Sequence, residues 1–189
     1  MEKCYEYNID IYNVFIDYSH AFDSIIRESI LTSLHSNKIS PKLINLIKLT
    51  LENTTVKVKV NNNYTSDFRV DIGVKQGDPL SPILFNLIID TVLTQLDLRG
   101  NIFTFLKQLM AYADDILILT RTKKSQTEAL QHLKKSSIEV GLKTNEEKSK
   151  YLKCSKKDTK KIDLNWQNLS IEQVHQYIYL RSIINDNSK

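Results

Sequence analysis

Two adjacent carboxylates, Asp114 and Asp115, interrupt an otherwise apolar stretch over residues 103–120. Neighbouring like charges repel, and burying them without compensation is costly. The chain must therefore place the pair at a turn or bring something positive to meet it. The strand-like runs 103–111 and 116–120 flank Tyr112-Ala113-Asp114-Asp115, which puts the pair at the connection of a β-hairpin. Asp is favoured in turns, so a plain polar turn accounts for it. A divalent cation, held by one or two carboxylates together with substrate phosphates, would use both charges.

A third carboxylate bears on that choice. Residues 14–18 read as a short strand carrying Asp17 near its C-terminal edge. A strand edge and a hairpin tip can bring Asp17 beside Asp114 across a sheet. Two ions about 3.5–4 Å apart at such a site activate an attacking hydroxyl and stabilise a leaving oxygen in phosphoryl transfer.

The remaining pattern alternates helices and strands. Asp23 or Ser24 is positioned to cap a helix with Ile25, Ile26, Ile30, Leu31 and Leu34 on its apolar face. Ser40 caps a second helix with Pro41 at its first position and a buried stripe of Leu43, Ile44, Ile47 and Leu51. Val56, Val58 and Val60 alternate with lysines before Asn61-Asn62-Asn63 and residues 68–72, which predicts a hairpin. Residues 73–82 hold two of the four glycines and two of the three prolines and read as an irregular loop. From Ser81-Pro82 a long helix runs through Ile83, Leu84, Leu87, Ile88, Val92, Leu93 and Leu96. Ser125 and Glu128 match a capping box for a helix ended by Gly141, and short strands are expected at 151–154, 162–164 and 177–184.

Composition narrows the class. With 41% hydrophobic and 25% charged residues the chain has the balance of a globular domain, and its longest apolar run is broken by Asn86 and Asp90, so neither secretion nor membrane spanning is expected. Cys4 and Cys154 are far apart with no metal-ligand spacing, which points to a reducing, intracellular setting, nucleus or cytoplasm. Residues 121–161 carry 13 Lys and Arg against 5 Asp and Glu, whereas the whole chain is only +4. Such a run is either a solvated surface or a face that follows a phosphate backbone.

Three motifs then occur in order: Phe15-Ile16-Asp17-Tyr18-Ser19-His20-Ala21-Phe22-Asp23, Gln76-Gly77-Asp78-Pro79-Leu80-Ser81-Pro82, and Tyr112-Ala113-Asp114-Asp115. Together they resemble a reverse transcriptase. The continuation Ile83-Leu84-Phe85-Asn86 is similar to the non-LTR retrotransposon branch, and Gly141-Leu142-Lys143-Thr144-Asn145 through Lys148, then Tyr179-Leu180, resemble the family's next two motifs. The match covers about residues 9–185.

The resemblance implies an α/β (α+β) polymerase palm, a mostly antiparallel sheet backed by helices. It makes Asp17 and Asp114 principal ligands of two magnesium ions, for which manganese can substitute, with Asp115 supporting. It implies RNA-templated DNA synthesis on a DNA primer from deoxynucleoside triphosphates. Tyr18 and Phe22 would line the substrate pocket, with Phe22 as the ring that excludes a 2′-hydroxyl. Gln76 and Gly77 would lie against nucleotide and template, Lys148 beside the departing pyrophosphate, and Tyr179 and Leu180 beneath the primer end. Without the resemblance, Phe22, Tyr179 and Leu180 read as core and Lys148 as surface.

Two positions depart from the pattern: His20 stands where the family commonly carries a lysine, and Arg181 where it carries a glycine. The expectation is that residues 1–189 form a palm with fingers and thumb largely outside them. The competing reading is an inactive retroelement remnant that keeps nucleic-acid binding.

Overall fold

The computed structural model describes residues 2–94, 107–156, 164–166 and 169–186. After α1 (Glu2–Glu6), β1 (Ile11–Ile16) is buried on both faces. Val14 and Ile16 point into one apolar cluster, Ile11 and Phe15 into another, as strand alternation requires. The strand breaks at Asp17 and resumes as β2 (Tyr18–Ser19).

The next helix starts later than the cap residues predict. A single turn, α2 (Ala21–Ser24), is followed by extended Ile25 and Ile26, and α3 (Arg27–Ser36) begins with Ile26 at its N-cap and no side-chain cap. Distant backbone contacts explain the shift. The Ile25 carbonyl accepts from Gly73 N–H at 2.8 Å and Ile26 N–H donates to the Val140 carbonyl at 3.0 Å, holding both residues out of the helix. In α4 (Pro41–Leu51) the Ser40 hydroxyl accepts from Leu43 N–H, as expected. Ile44 and Ile47 are buried, but Leu43 is 47% exposed and does not belong to the buried stripe.

The predicted hairpin forms in two steps, β3 (Thr55–Val56) against β6 (Phe68–Arg69) and β4 (Lys59–Val60) against β5 (Asn63–Tyr64), with Asn61 at positive φ in its turn. Its strands are exposed, and the Arg27 guanidinium ties its base to α3 by donating to the carbonyls of Val70 and Gly73. After the irregular loop, α5 (Ser81–Thr94) buries Leu84, Phe85, Ile88, Ile89 and Val92. Ile83 faces outward, and Leu96 and Phe103 lie outside the described residues.

β7 (Lys107–Tyr112) and β8 (Asp115–Thr120) form the expected hairpin. The cap of α6 (Lys123–Glu139) is Thr122, whose hydroxyl accepts from Ser125 N–H at 3.1 Å, so Ser125 is the third helical residue rather than the cap. Gly141 closes the helix at φ 89, and a Cβ there would meet the Ser24 carbonyl oxygen at 2.3 Å. The chain ends in β9 (Lys143–Thr144), β10 (Lys150–Cys154), β11 (Leu164–Trp166), β12 (Leu169–Gln173), β13 (Gln176–Tyr179) and β14 (Ser182–Asn185).

The main sheet runs β11-β12-β10-β1-β8-β7, antiparallel except for β10 beside β12. Helices α3, α5 and α6 cover the face bearing Val14, Ile16, Ile116 and Ile118. On the other face the β13–β14 hairpin packs Tyr177 on Phe15 at a 4.1 Å ring separation, with Tyr179 beside it. The fold is thus the expected mostly antiparallel sheet backed by helices. Among the described residues the lysines of this run do not share one face. Lys123, Lys124 and Lys135 are exposed on α6 behind the sheet, whereas Lys150 pairs with Glu172 at 2.8 Å and Lys153 with Asp10 at 3.3 Å.

Candidate active site

The antiparallel register of β1 and β8 reaches Ile16 opposite Ile116. One residue further along each strand, Asp17 and Asp115 therefore meet at the same end of the sheet. Asp114 joins them from the two-residue turn that closes the Tyr112–Asp115 pair, where Ala113 takes φ 52. Burial pushes the Asp17 carboxyl above the usual carboxylate range; the Lys148 ammonium opposes this, and the charge on Asp114 adds to it. Burial likewise raises Asp115, followed by the charges on Asp114 and Asp17. The charge on Asp114 thus destabilises the charged forms of Asp17 and Asp115, and that on Asp17 does the same to Asp115.

Asp17 is held by main-chain contacts that the motifs did not reveal. Its N–H donates to the Ser149 hydroxyl at 3.2 Å and its carbonyl accepts from Asn145 N–H at 2.8 Å. Its Oδ2 is buried without a hydrogen-bond partner, and the Lys148 ammonium lies 3.9 Å away, beyond hydrogen-bond reach. The available signal for Asn145 was its place three residues before Lys148, a spacing at which an Asn side chain caps a turn. Ser149 carries no such signal.

An unsatisfied carboxylate oxygen among mutually repelling acids fits a divalent cation. Among the described residues no three His, Cys, Asp or Glu side chains gather so as to hold one ion by themselves. Magnesium commonly needs fewer, because substrate phosphates and water complete its octahedron.

The other expected residues distribute unevenly around this centre. Phe22 stacks on Phe85 with ring centroids 4.6 Å apart. Half-buried, it lines a cavity of about 450 Å³ with Pro82, Asn86, Tyr112 and Ala113, directly beside the acidic turn. Gln76 and Gly77 lie on the exposed loop before α5. Gly77 has φ 91 and open space where a Cβ would stand, so conformation rather than crowding calls for glycine there. Tyr18 does not offer its ring to a cleft: it is 3% exposed, bonded through its hydroxyl to Ser137 Oγ at 2.6 Å, and burial pushes its phenol up to about 12. Any contact of Tyr18 with substrate falls to its main chain.

Tyr179 is buried against Phe15 and its hydroxyl donates to the Asp115 carbonyl at 3.4 Å, while Leu180 is 45% exposed at the hairpin tip. The tight turn forms despite Arg181, with Leu180 and Arg181 both in the left-handed region at φ 48 and 65. His20 is exposed, with its own positive φ of 49.

An antiparallel sheet backed by helices on one face, with carboxylates gathered at one end of its central strands, defines a polymerase palm. Residues 7–180 match the family described as reverse transcriptase (RNA-dependent DNA polymerase), and the chain belongs to that family. It is 31% identical over 134 residues to the Pol polyprotein of type-1 retrotransposable element R2 from Nasonia vitripennis, covering 70% of this chain and 13% of that protein. Over 148 residues it is 31% identical to that of type-2 element R2DM from Drosophila melanogaster, covering 77% of this chain and 13% of that protein. These relatives are non-LTR retrotransposon proteins, and the chain spans about an eighth of their length.

The fold is similar to that of apo telomerase from Candida tropicalis truncated from its C-terminal domain, with a TM-score of 0.69 at 16% identity over 97% of this chain and 38% of that one. Reverse transcriptases use divalent metal ions and a nucleic-acid template. Among the described residues no helix is long and apolar enough to cross a membrane.

Proposed function

We propose that this chain is the palm of a retrotransposon RNA-directed DNA polymerase, which extends a DNA primer on an RNA template from deoxynucleoside triphosphates. The observation that carries the reading is that Asp17 and Asp115 stand at adjoining strand ends, both acted on by the charge of Asp114, with Asp17 Oδ2 buried and without a hydrogen-bond partner. Asp17 and Asp114 would hold magnesium, or manganese in its place, and Asp115 would support them. When bound, two ions activate the primer 3′-hydroxyl and stabilise the oxygen leaving with pyrophosphate.

The chain's own groups supply the rest. Phe22, fixed by Phe85, limits the sugar's space beside the acidic turn. The Gln76 amide and the Gly77 backbone meet the nucleotide and template from their exposed loop. Lys148 gives a proton to the departing pyrophosphate or offsets its charge. Tyr179 supports the β13–β14 tip from below, and Leu180 presents an apolar contact to the primer end.

Primer extension on poly(rA) with oligo(dT) by the full-length protein tests this. Activity in magnesium or manganese should fall by roughly a hundredfold or more in Asp114→Asn, the scale of losing one preorganised electrostatic contact at a reacting centre. Undiminished extension by that variant would refute the assignment.

A further inference from the structure

The hydrogen bonds around Asp17 form a closed circuit. The β1–β10 ladder ends with Phe15 opposite Lys150, so the Asp17 N–H has no strand partner beyond that point. The Ser149 hydroxyl, fully buried, accepts it instead. Ser149 N–H in turn donates to the Asn145 carbonyl at 2.9 Å, and Asn145 N–H donates to the Asp17 carbonyl at 2.8 Å. Inside this loop the Asn145 side-chain oxygen accepts from Lys148 N–H at 3.2 Å. Pairing of Tyr18 with Thr144 and Ser19 with Lys143 extends the same junction on its far side. The segment that carries Lys148 is thereby bonded to both polar groups of the Asp17 main chain, and the two charged tips lie 3.9 Å apart.

We infer that Ser149 and Asn145 are positioning residues that lock the Asp17 carboxylate and the Lys148 ammonium into one unit, so that metal affinity at Asp17 depends on a serine hydroxyl that touches no ligand. The inference rests on the metal reading of Asp17. Its physical basis is that a carboxylate facing like charges swings away unless its backbone is fixed, and the end of a strand ladder does not fix it. A side-chain hydroxyl lets β1 diverge from β10 while the Asp17 N–H stays satisfied. Groups that orient a ligand in this way typically change metal affinity by about 10- to 100-fold when removed.

The test uses the whole chain and two readouts, manganese binding by calorimetry and hydrogen exchange at the Asp17 amide. Ser149→Ala is expected to weaken manganese binding about tenfold and to speed Asp17 exchange, with Ser149→Thr restoring both. Asp114→Asn should lose manganese affinity while Asp17 exchange stays slow. Lys148→Ala removes a cation beside Asp17 Oδ2 and should raise manganese affinity in the wild-type background, less so in Ser149→Ala. Wild-type binding and slow exchange in Ser149→Ala would overturn the clamp, and additive effects of the two variants would overturn the single unit. Equal manganese affinity in wild type and Asp114→Asn would instead remove the metal reading, leaving amide exchange to decide on the clamp by itself. Should Ser149→Ala not fold, the nearly isosteric Ser149→Cys, a weak acceptor, serves with the same expectations.

Discussion

Replacing Arg181 by glycine should make the protein more stable. Leu180 and Arg181 are the two residues between the Tyr179–Ser182 pair of the β13–β14 hairpin, and both have positive φ. Positive φ at both central residues suits the twist of a hairpin, which is why such turns favour Asn and Gly. A residue with a Cβ is disfavoured there by roughly 1–2 kcal/mol. Glycine removes that term but gains freedom in the unfolded chain, which returns about 0.4–1 kcal/mol. Arg181 is exposed, so little packing is lost. The net expectation is a stabilisation of about 0.5–1 kcal/mol. At 2–4 °C per kcal/mol for a chain of this size, Tm should rise by roughly 1–4 °C. Thermal unfolding followed by circular dichroism measures it, with Arg181→Ala as control because alanine keeps the Cβ. An equal rise in the control would assign the effect to the guanidinium, and a fall in Arg181→Gly would refute the strain argument.

Three further outcomes follow from the site. Because burial and like charges raise the folded pKa of Asp17 and Asp115, the stability these groups contribute is fully present below their unfolded value of 3.8 and is lost as pH rises through the folded one. Asp115→Asn should therefore melt above wild type near neutral pH with a gap that closes towards about pH 4, and a gap independent of pH would contradict the coupling. Tyr18→Phe leaves the buried Ser137 hydroxyl without its partner and should cost about 1–3 kcal/mol in urea unfolding, with manganese binding unchanged. In the full-length protein Phe22→Val should raise ribonucleotide incorporation relative to deoxynucleotide incorporation; an unchanged ratio would make Phe22 a packing residue for Phe85 only.

The chemistry was more legible in the residues than the path of the chain. Asp17 at a strand end, the acidic turn, the Ser40 cap and the Gly141 stop are all local signals, and the structure has each of them. The displaced start of α3 is not local. Its cause is contacts from Gly73 and Val140, 48 and 114 residues from their partners Ile25 and Ile26, and no periodicity in residues 21–36 carries that information. At α6 two hydroxyl residues three apart competed for the cap. Thr122 holds it because β8 continues to Thr120, whose buried side chain bonds to the Thr122 carbonyl and Gln126. The lysine run left a solvated surface and a phosphate-following face both open for a related reason: composition records how many charges a segment has, while the fold sets Lys123, Lys124 and Lys135 on α6, pairs Lys150 and Lys153 with Glu172 and Asp10, and brings Lys148 towards Asp17.

Backbone strain is distributed in the same non-local way. Among the described residues eight non-glycine residues have positive φ, and four of them, Asn8, Lys38, Asn53 and Asn61, lie away from the carboxylates in sequence. Three of those four are asparagine, which tolerates the left-handed region. The other four are His20, Ala113, Leu180 and Arg181, and of these only histidine is among the residues enriched at positive φ. His20 follows Asp17 by three residues, Ala113 precedes Asp114, and Leu180 and Arg181 follow Tyr179, whose hydroxyl reaches the Asp115 carbonyl. A turn built from unsuitable residues persists only where its surroundings over-determine it. Here the surroundings are identifiable: the β7–β8 ladder from Lys107 to Tyr112 holds Ala113, and the β13–β14 ladder with Phe15 packed beneath it holds Leu180 and Arg181. The turns around the carboxylates are therefore set by the sheet rather than by their own residues. They can keep the acidic groups in a repulsive arrangement that a self-sufficient turn would be free to relax.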